Sequence, residues 1–110
     1  MTDLIYVSTA TPNELTDLDN ASIETVVQLY NERLPMLSKV KFVTPARVKR
    51  LAAVKKISPS FKTAQFWSDY FYGVSRDDFL TGRQPGSRWK ADFDYLLSPA
   101  GFIKTLEKML

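Results

Sequence analysis

The stretch FLTGRQPGSRWKADFDYLLSPAGFIKTLEKML, residues 79–110, combines turn-forming residues, aromatic side chains, paired aspartates and a proline-started segment without any spacer. Gly82 can adopt the left-handed backbone that closes a helical turn. The sequence Gln-Pro-Gly-Ser at 84–87 is typical of an exposed turn. A short loop is therefore predicted between two ordered parts of the chain.

Residues 89–97 are compatible with two secondary structures. Their apolar positions alternate with polar ones as far as Tyr95, which suits a strand, whereas Phe93 and Leu96 have helical spacing. We favour a helix because Asp92 can act as its N-cap and because a lone strand finds no partner elsewhere in the chain. A further helix is predicted from Ser98-Pro99, where a capping residue precedes a proline at the first helical position. Its apolar stripe comprises Phe102, Ile103, Leu106 and Leu110.

Two upstream helices have clear boundaries. The first is predicted over about 21–34, capped by Asn20 or Ser22 and stopped by Pro35. The second begins with Thr44 as N-cap and a proline at its first position, and it stops near Ser58-Pro59. The residues of the second helix predicted to face inward are Val48, Leu51, Ala52 and Val54. The cations predicted to crowd its remaining arc are Arg47, Lys49, Arg50, Lys55 and Lys56.

A third upstream helix is predicted over about 63–75, with a very aromatic face, and a brief helical turn follows at 77–80. The aromatic face comprises Phe66, Trp67, Tyr70 and Phe71, next to Val74. The linker between the first two helices carries four apolar anchors, which are Met36, Leu37, Val40 and Phe42.

The composition indicates one small domain. With 110 residues, of which 45% are hydrophobic and 13% aromatic, the chain can bury a single core. It contains no cysteine, which excludes disulfides and thiolate metal sites and favours an intracellular protein. No apolar run is long enough to span a bilayer, and the first residues lack the basic start of a signal peptide. We therefore expect a cytoplasmic protein without membrane contact.

The charge is distributed unevenly. The formal net charge is +3, but residues 1–30 carry five acids and no lysine or arginine, whereas residues 33–62 carry nine basic residues and no acid. Such a basic segment suits a phosphate backbone or an acidic protein surface. The predicted fold class is all-α, a single-domain bundle of four to five helices at 20–110 with a partly irregular, acidic N-terminal arm at 1–19.

Several motifs resemble the C-terminal region of phage and prophage DNA-replication proteins, such as replisome organisers and initiator-like proteins. The motifs are FLTGR at 79–83, W-x-A-D-F-D-x-L-L at 89–97, the following proline with F-x-K-x-L-E, and the upstream stretch LYNERLPMLSKVKFVTPARVKRLAAV at 29–54. Two features depart from that family: the winged-helix DNA-binding portion is absent, and Met-Leu ends the chain where many relatives carry Gly-x-Tyr. The resemblance implies DNA, a replicative helicase or another replisome protein as the partner, in a bacterial host.

Catalysis is disfavoured by the residue types. With no histidine and no cysteine, the nucleophile–histidine arrangements and histidine metal sites are excluded. Asp92 and Asp94 lie two apart and point to different sides of a helix, so we interpret the first as a cap and the second as a partner for Arg88 or Lys90. We predict a non-enzymatic protein with no cofactor and no metal.

Binding is the favoured function. Weakly sequence-dependent DNA contacts are predicted through the phosphates, whereas a protein partner is predicted to use an aromatic and arginine hot spot from Trp67, Phe79, Trp89 and the loop 83–88. Each of these aromatics has burial in the core as its competing interpretation. The alternative is a small phage-encoded interaction or inhibitor protein that captures a host protein. The predicted binding residues are Lys41, Arg47, Lys49, Arg50, Lys55, Lys56, Arg83 and Arg88.

Overall fold

The computed structural model describes residues 20–110, so the acidic arm predicted at 1–19 lies outside the described residues. Residues 20–110 form five α-helices and one 3-10 turn and contain no strand, which confirms the all-α prediction. The helices are α1 (Ile23–Arg33), α2 (Pro45–Lys55), α3 (Ala64–Ser75), α4 (Phe93–Leu97) and α5 (Pro99–Met109), with the 3-10 turn at Pro59–Lys62 between α2 and α3.

Every α-helix begins with a polar side chain that accepts a hydrogen bond from the helix's first turn. Such a cap satisfies one of the backbone N–H groups that have no partner within the helix. The predicted caps Thr44, Asp92 and Ser98 are confirmed, and of the two candidates for α1 the structure selects Ser22. The helical interpretation of this region is confirmed for 93–97, where Asp92 is the N-cap, whereas residues 89–92 are not helical.

An aromatic core holds the helices together. α1 packs mainly against α3, and Tyr30 contacts the rings of Phe71 and Phe93 edge-on, with centroids 5.7 and 5.2 Å apart. Two tyrosine hydroxyls that enter this core find partners: the Tyr30 hydroxyl donates to the Ser38 carbonyl at 2.8 Å, and the Tyr70 hydroxyl donates to a carbonyl of α4 at 2.9 Å. The core therefore fixes the positions of α1, α3 and α4.

The linker before α2 is held by Asn31, whose side-chain amide bonds both the N–H and the carbonyl of Val40, at 2.9 and 3.1 Å. Leu37 and Val40 are buried as predicted, and Met36 is partly buried. Phe42 is 75% exposed, so the prediction that it anchors the linker is wrong. The linker turns outward after Val40, and Phe42 is left on the surface beside the start of α2.

Three further predictions need correction. α2 ends at Lys55 rather than near Ser58, because the chain leaves the helix in a turn at 56–57. Of the residues predicted to face inward on α2, only Leu51 and Val54 are buried, whereas Val48 and Ala52 are exposed. Leu110, predicted on the apolar stripe of α5, is 97% exposed because it follows the last helical turn.

Candidate partner-binding surface

The packing of α2 divides its four cations, together with Lys56 just after its end, into two groups. Arg47 donates two hydrogen bonds to the carboxylate of Asp94 on α4, at 3.1 and 3.3 Å, and Arg50 donates a third at 3.1 Å. The prediction that Asp94 pairs with Arg88 or Lys90 is therefore wrong. Both arginines lie on the side of α2 that faces the protein, because Leu51 and Val54 draw that side toward the core.

Asp94 and Arg47 alter each other's ionisation. The hydrogen bonds from Arg47 hold the pKa of Asp94 below its ordinary value, against the opposing effect of partial burial, and they raise the pKa of Arg47. Arg47 also donates to the Phe42 carbonyl at 2.9 Å and lies 5.6 Å from the centre of the Phe93 ring. These contacts make Arg47 a structural link between α2 and α4.

Lys55 is also held against the protein. Its ammonium group donates to the side-chain oxygen of Asn20 at 2.8 Å and to the carbonyl of Ala21, so it ties the end of α2 to the chain just before α1. Burial, with a smaller effect from Lys62, lowers the pKa of Lys55. The expectation that all five cations predicted for this helix face solvent is thus corrected for Arg47, Arg50 and Lys55.

The remaining predicted cations of this region are exposed. Lys49 and Lys56 lie on the solvent side of α2, and Lys41 precedes the helix. Within residues 20–110, none of these three ammonium groups makes a hydrogen bond or an ion pair. No group within residues 20–110 therefore competes with an external anion for these three lysines.

The outer face of α2, which we define by its exposed residues between 45 and 56, is mostly apolar. Only Lys49 and Lys56 carry charge on it. A helix face that simply meets water normally carries polar and charged side chains instead. The other members of the outer face are Pro45, Ala46, Val48, Ala52 and Ala53.

Exposed apolar side chains continue beyond both ends of α2. Val43 and Val48 occupy the positions of a hydrophobic staple, which precede and follow the N-cap Thr44, so local helix-start geometry accounts for this pair. That geometry does not account for Phe42, or for Ile57, which is 47% exposed just after the helix. Large apolar side chains thus flank the outer face on both sides.

The predicted residues of the loop 83–88 belong to the connection between α3 and α4. Arg83 donates to the carboxylate of Asp78 at 3.0 Å and to the Ser75 carbonyl at 2.9 Å, so it holds its own loop, whereas Arg88 is exposed. Gly82 and Gly86 have φ angles of 80° and 82°, which confirms the predicted left-handed turn at Gly82. Within residues 20–110, no hydrogen bond links Arg83 or Arg88 to the residues that hold the cations of α2. The structure therefore does not join the two predicted groups of cations into one site.

The three aromatic hot-spot candidates have different environments. Trp67 is fully buried and donates its indole N–H to the Phe61 carbonyl at 2.9 Å, so it belongs to the core. Phe79 and Trp89 are stacked with ring centroids 4.9 Å apart and are both partly exposed, while Tyr95 meets Trp89 edge-on at 5.1 Å. Lys108 lies 5.2 Å from the centre of the Phe79 ring and pairs with Asp77, so an acid accompanies the cation nearest this aromatic cluster.

Residues 20–110 contain no group of three metal-ligating side chains close enough to hold an ion. In the same part of the chain, no helix combines the length and apolar character needed to cross a membrane. A scan against protein-family models and searches of curated proteins and of solved structures found no match for the sequence or the fold. The outer face of α2 is therefore identified as the candidate site from its geometry alone.

Proposed function

We propose that this chain is a non-enzymatic binding protein that presents the outer face of α2, with Phe42 beside it, to a protein partner. The observation that carries the proposal is the exposure of apolar side chains there, above all the 75% exposure of Phe42. Covering a phenylalanine removes apolar surface from water and is favourable by about 2 kcal/mol. The described part of the chain, residues 20–110, leaves this free energy unused, and a partner can recover it on binding.

The pairing of the arginines supports a protein partner over a phosphate backbone. Arg47 and Arg50 are the residues of α2 best suited to bidentate phosphate contacts, and both are engaged with Asp94. The outer face keeps two lysines among small apolar residues, whereas a surface that tracks DNA is much more cationic. A mainly apolar face with few charges is closer to the composition of a protein interface than to that of a DNA-binding surface.

DNA binding is the second candidate, and a specific observation favours it. Residues 33–62 contain no acid, and Lys39, Lys41, Lys49, Lys56 and Lys62 are all exposed. A duplex held by three of these lysines would show a log–log salt slope of about −3. The resemblance to phage and prophage replication proteins is compatible with both candidates, with a replisome protein as partner in one and DNA in the other. Capture of a host protein by a small phage-encoded inhibitor would use the same surface.

Photo-crosslinking tests the proposal directly. A photoreactive side chain is placed at Ala53 on the outer face, and a matched chain carries it at Ala100, which is exposed on α5. In an extract of the source cells we expect a protein adduct from position 53 that excess wild-type chain abolishes and that position 100 does not form. Equal adducts from both positions, or an adduct with nucleic acid only, would refute a protein-binding role for this face.

A further inference from the structure

We infer that the occupant of the outer face is an acidic amphipathic helix of another protein; this inference rests on the proposed function and specifies its partner. The midline of the outer face is formed by Pro45, Lys49, Ala52 and Lys56, spaced four, three and four residues apart. That alternation is the spacing by which one helix contacts another along its length. The face can therefore accommodate a second helix that packs along α2 or crosses it at a small angle.

Small side chains make a close approach possible. Ala46, Ala52 and Ala53 project only a methyl group each, and all three are exposed. Packed helices lie about 8–10 Å apart, with the shorter distances where the contact residues are small. A partner helix can thus bring its own larger apolar side chains down onto α2, with Val48 and Ile57 closing the two margins.

The two exposed lysines of the outer face indicate that the partner's contact surface is negatively charged. Lys49 and Lys56 are seven residues apart on one side of α2, which places them about two helical turns from each other. Carboxylates at positions seven apart on a partner helix would match both ammonium groups at once. Since residues 33–62 contain no acid, nothing in that segment neutralises these lysines in advance. Within residues 20–110 neither ammonium group is paired with a carboxylate, so an acidic partner meets two positive charges along this contact.

A second copy of this chain fits the face poorly. In a two-fold symmetric pair the same face contacts itself, and antiparallel α2 helices with the axis at the middle of the face, between Ala52 and Ala53, would bring Lys49 of one copy opposite Lys56 of the other. Like charges facing each other across an apolar contact are destabilising. The same residues that favour an acidic helix thus disfavour self-association.

The test uses two synthetic helical peptides of about three heptads. Both carry the same leucine and alanine stripe, flanked by glutamates in one peptide and by glutamines in the other. Each is titrated into the full chain while backbone amide NMR shifts are recorded. We expect the glutamate peptide to bind about tenfold more tightly than the glutamine peptide and to shift the amides of 42–57.

Charge reversal provides the matched control. The double substitution Lys49→Glu and Lys56→Glu is expected to abolish the preference for the glutamate peptide, whereas Lys104→Glu, at an exposed lysine of α5, preserves it. Equal binding of the two peptides, shifts centred outside 42–57, or an unchanged preference in the double variant would overturn the inference. If these outcomes occur while the crosslink from Ala53 persists, the proposed function stands and only the acidic helix is rejected; loss of the crosslink rejects both.

Discussion

The carboxylate of Asp94 accepts two hydrogen bonds from the guanidinium of Arg47, at 3.1 and 3.3 Å, across 47 residues of sequence. This contact joins α4 to α2 on the side of α2 that the burial of Leu51 and Val54 turns toward the core. With Arg47 turned inward, helical spacing places Lys49 and Ala52 outward. The ion pair and the apolar outer face are therefore two consequences of one orientation.

Replacing Asp94 by asparagine removes the charge that holds both arginines. Because the pair is partly exposed, we expect the free energy of unfolding to fall by about 1 kcal/mol at neutral pH. The pKa of Asp94 is lowered in the folded chain, so its contribution is present above the ordinary value of 3.8 and is lost as the pH falls through the lowered pKa. Urea unfolding should show the wild type and Asp94→Asn converging in strong acid; a constant difference at all pH values would contradict the pairing.

Two buried or half-buried glycines give opposite expectations for substitution by alanine. A Cβ at Gly101 would lie 2.2 Å from the backbone carbonyl oxygen of Tyr95, which cannot move without displacing α4 from α5. We expect Gly101→Ala to cost about 3 kcal/mol. At Gly73 the obstacle is the end of the flexible Met109 side chain, so Gly73→Ala should be neutral or stabilise α3 by up to about 1 kcal/mol. Thermal unfolding of both variants distinguishes these cases, and a similar melting temperature for the two would refute the close approach of α4 and α5.

Ionisation of Tyr30 is expected to lower the stability of the folded chain at alkaline pH. Burial, reinforced by the nearby charge of Asp92, raises its pKa from 10.0 to about 12. The stabilisation from the neutral phenol is therefore fully present below pH 10 and is lost as the pH rises through about 12. Tyr30→Phe leaves the Ser38 carbonyl without its donor and should cost about 1 kcal/mol at neutral pH. That deficit should shrink between pH 10 and 12 in chemical unfolding, whereas a deficit that grows there would show that the phenol ionises easily.

Substitutions of Phe42 and Phe102 should have different effects on stability, because the first ring is exposed and the second is in the core. Phe102 is fully buried, so Phe102→Ala should destabilise the chain by about 3–5 kcal/mol. Phe42→Ser should change stability by less than about 0.5 kcal/mol because most of the ring already meets water. Differential scanning calorimetry measures both. A large loss of stability in Phe42→Ser would mean that the ring supports the fold, and the argument for a binding surface would lose its main observation.

The sequence predicts what is decided locally. The caps Thr44, Asp92 and Ser98 and the turn at Gly82 depend on neighbours a few residues away, and all four are confirmed. The rotation of α2 is decided by its packing against distant parts of the fold, including α4 some forty residues further along the chain. The periodicity of α2 alone therefore predicted Val48 inward and Arg47 outward.

The candidate site was only partly predictable for the same reason. Lys41, Lys49 and Lys56 are exposed as the acid-free segment indicated, whereas Lys55 is held by the backbone before α1. The exposure of Phe42 carries no local signal, because an apolar residue between two loop positions looks the same whether it is buried or exposed. The alanines at 46, 52 and 53 were the available clue, since a helix face without polar residues normally has something packed on it.

The central claim is that a protein packs on the outer face of α2, and the substitution Ala52→Arg tests it most directly. The new side chain obstructs the middle of the face and also adds positive charge, so packing and simple charge attraction predict opposite results. The affinity of the partner identified by crosslinking is measured for wild type, Ala52→Arg and the matched Ala100→Arg. We predict at least about a tenfold loss for Ala52→Arg and no change for Ala100→Arg. Equal or tighter binding by Ala52→Arg would contradict a packed protein interface and favour a surface that attracts anions by charge alone.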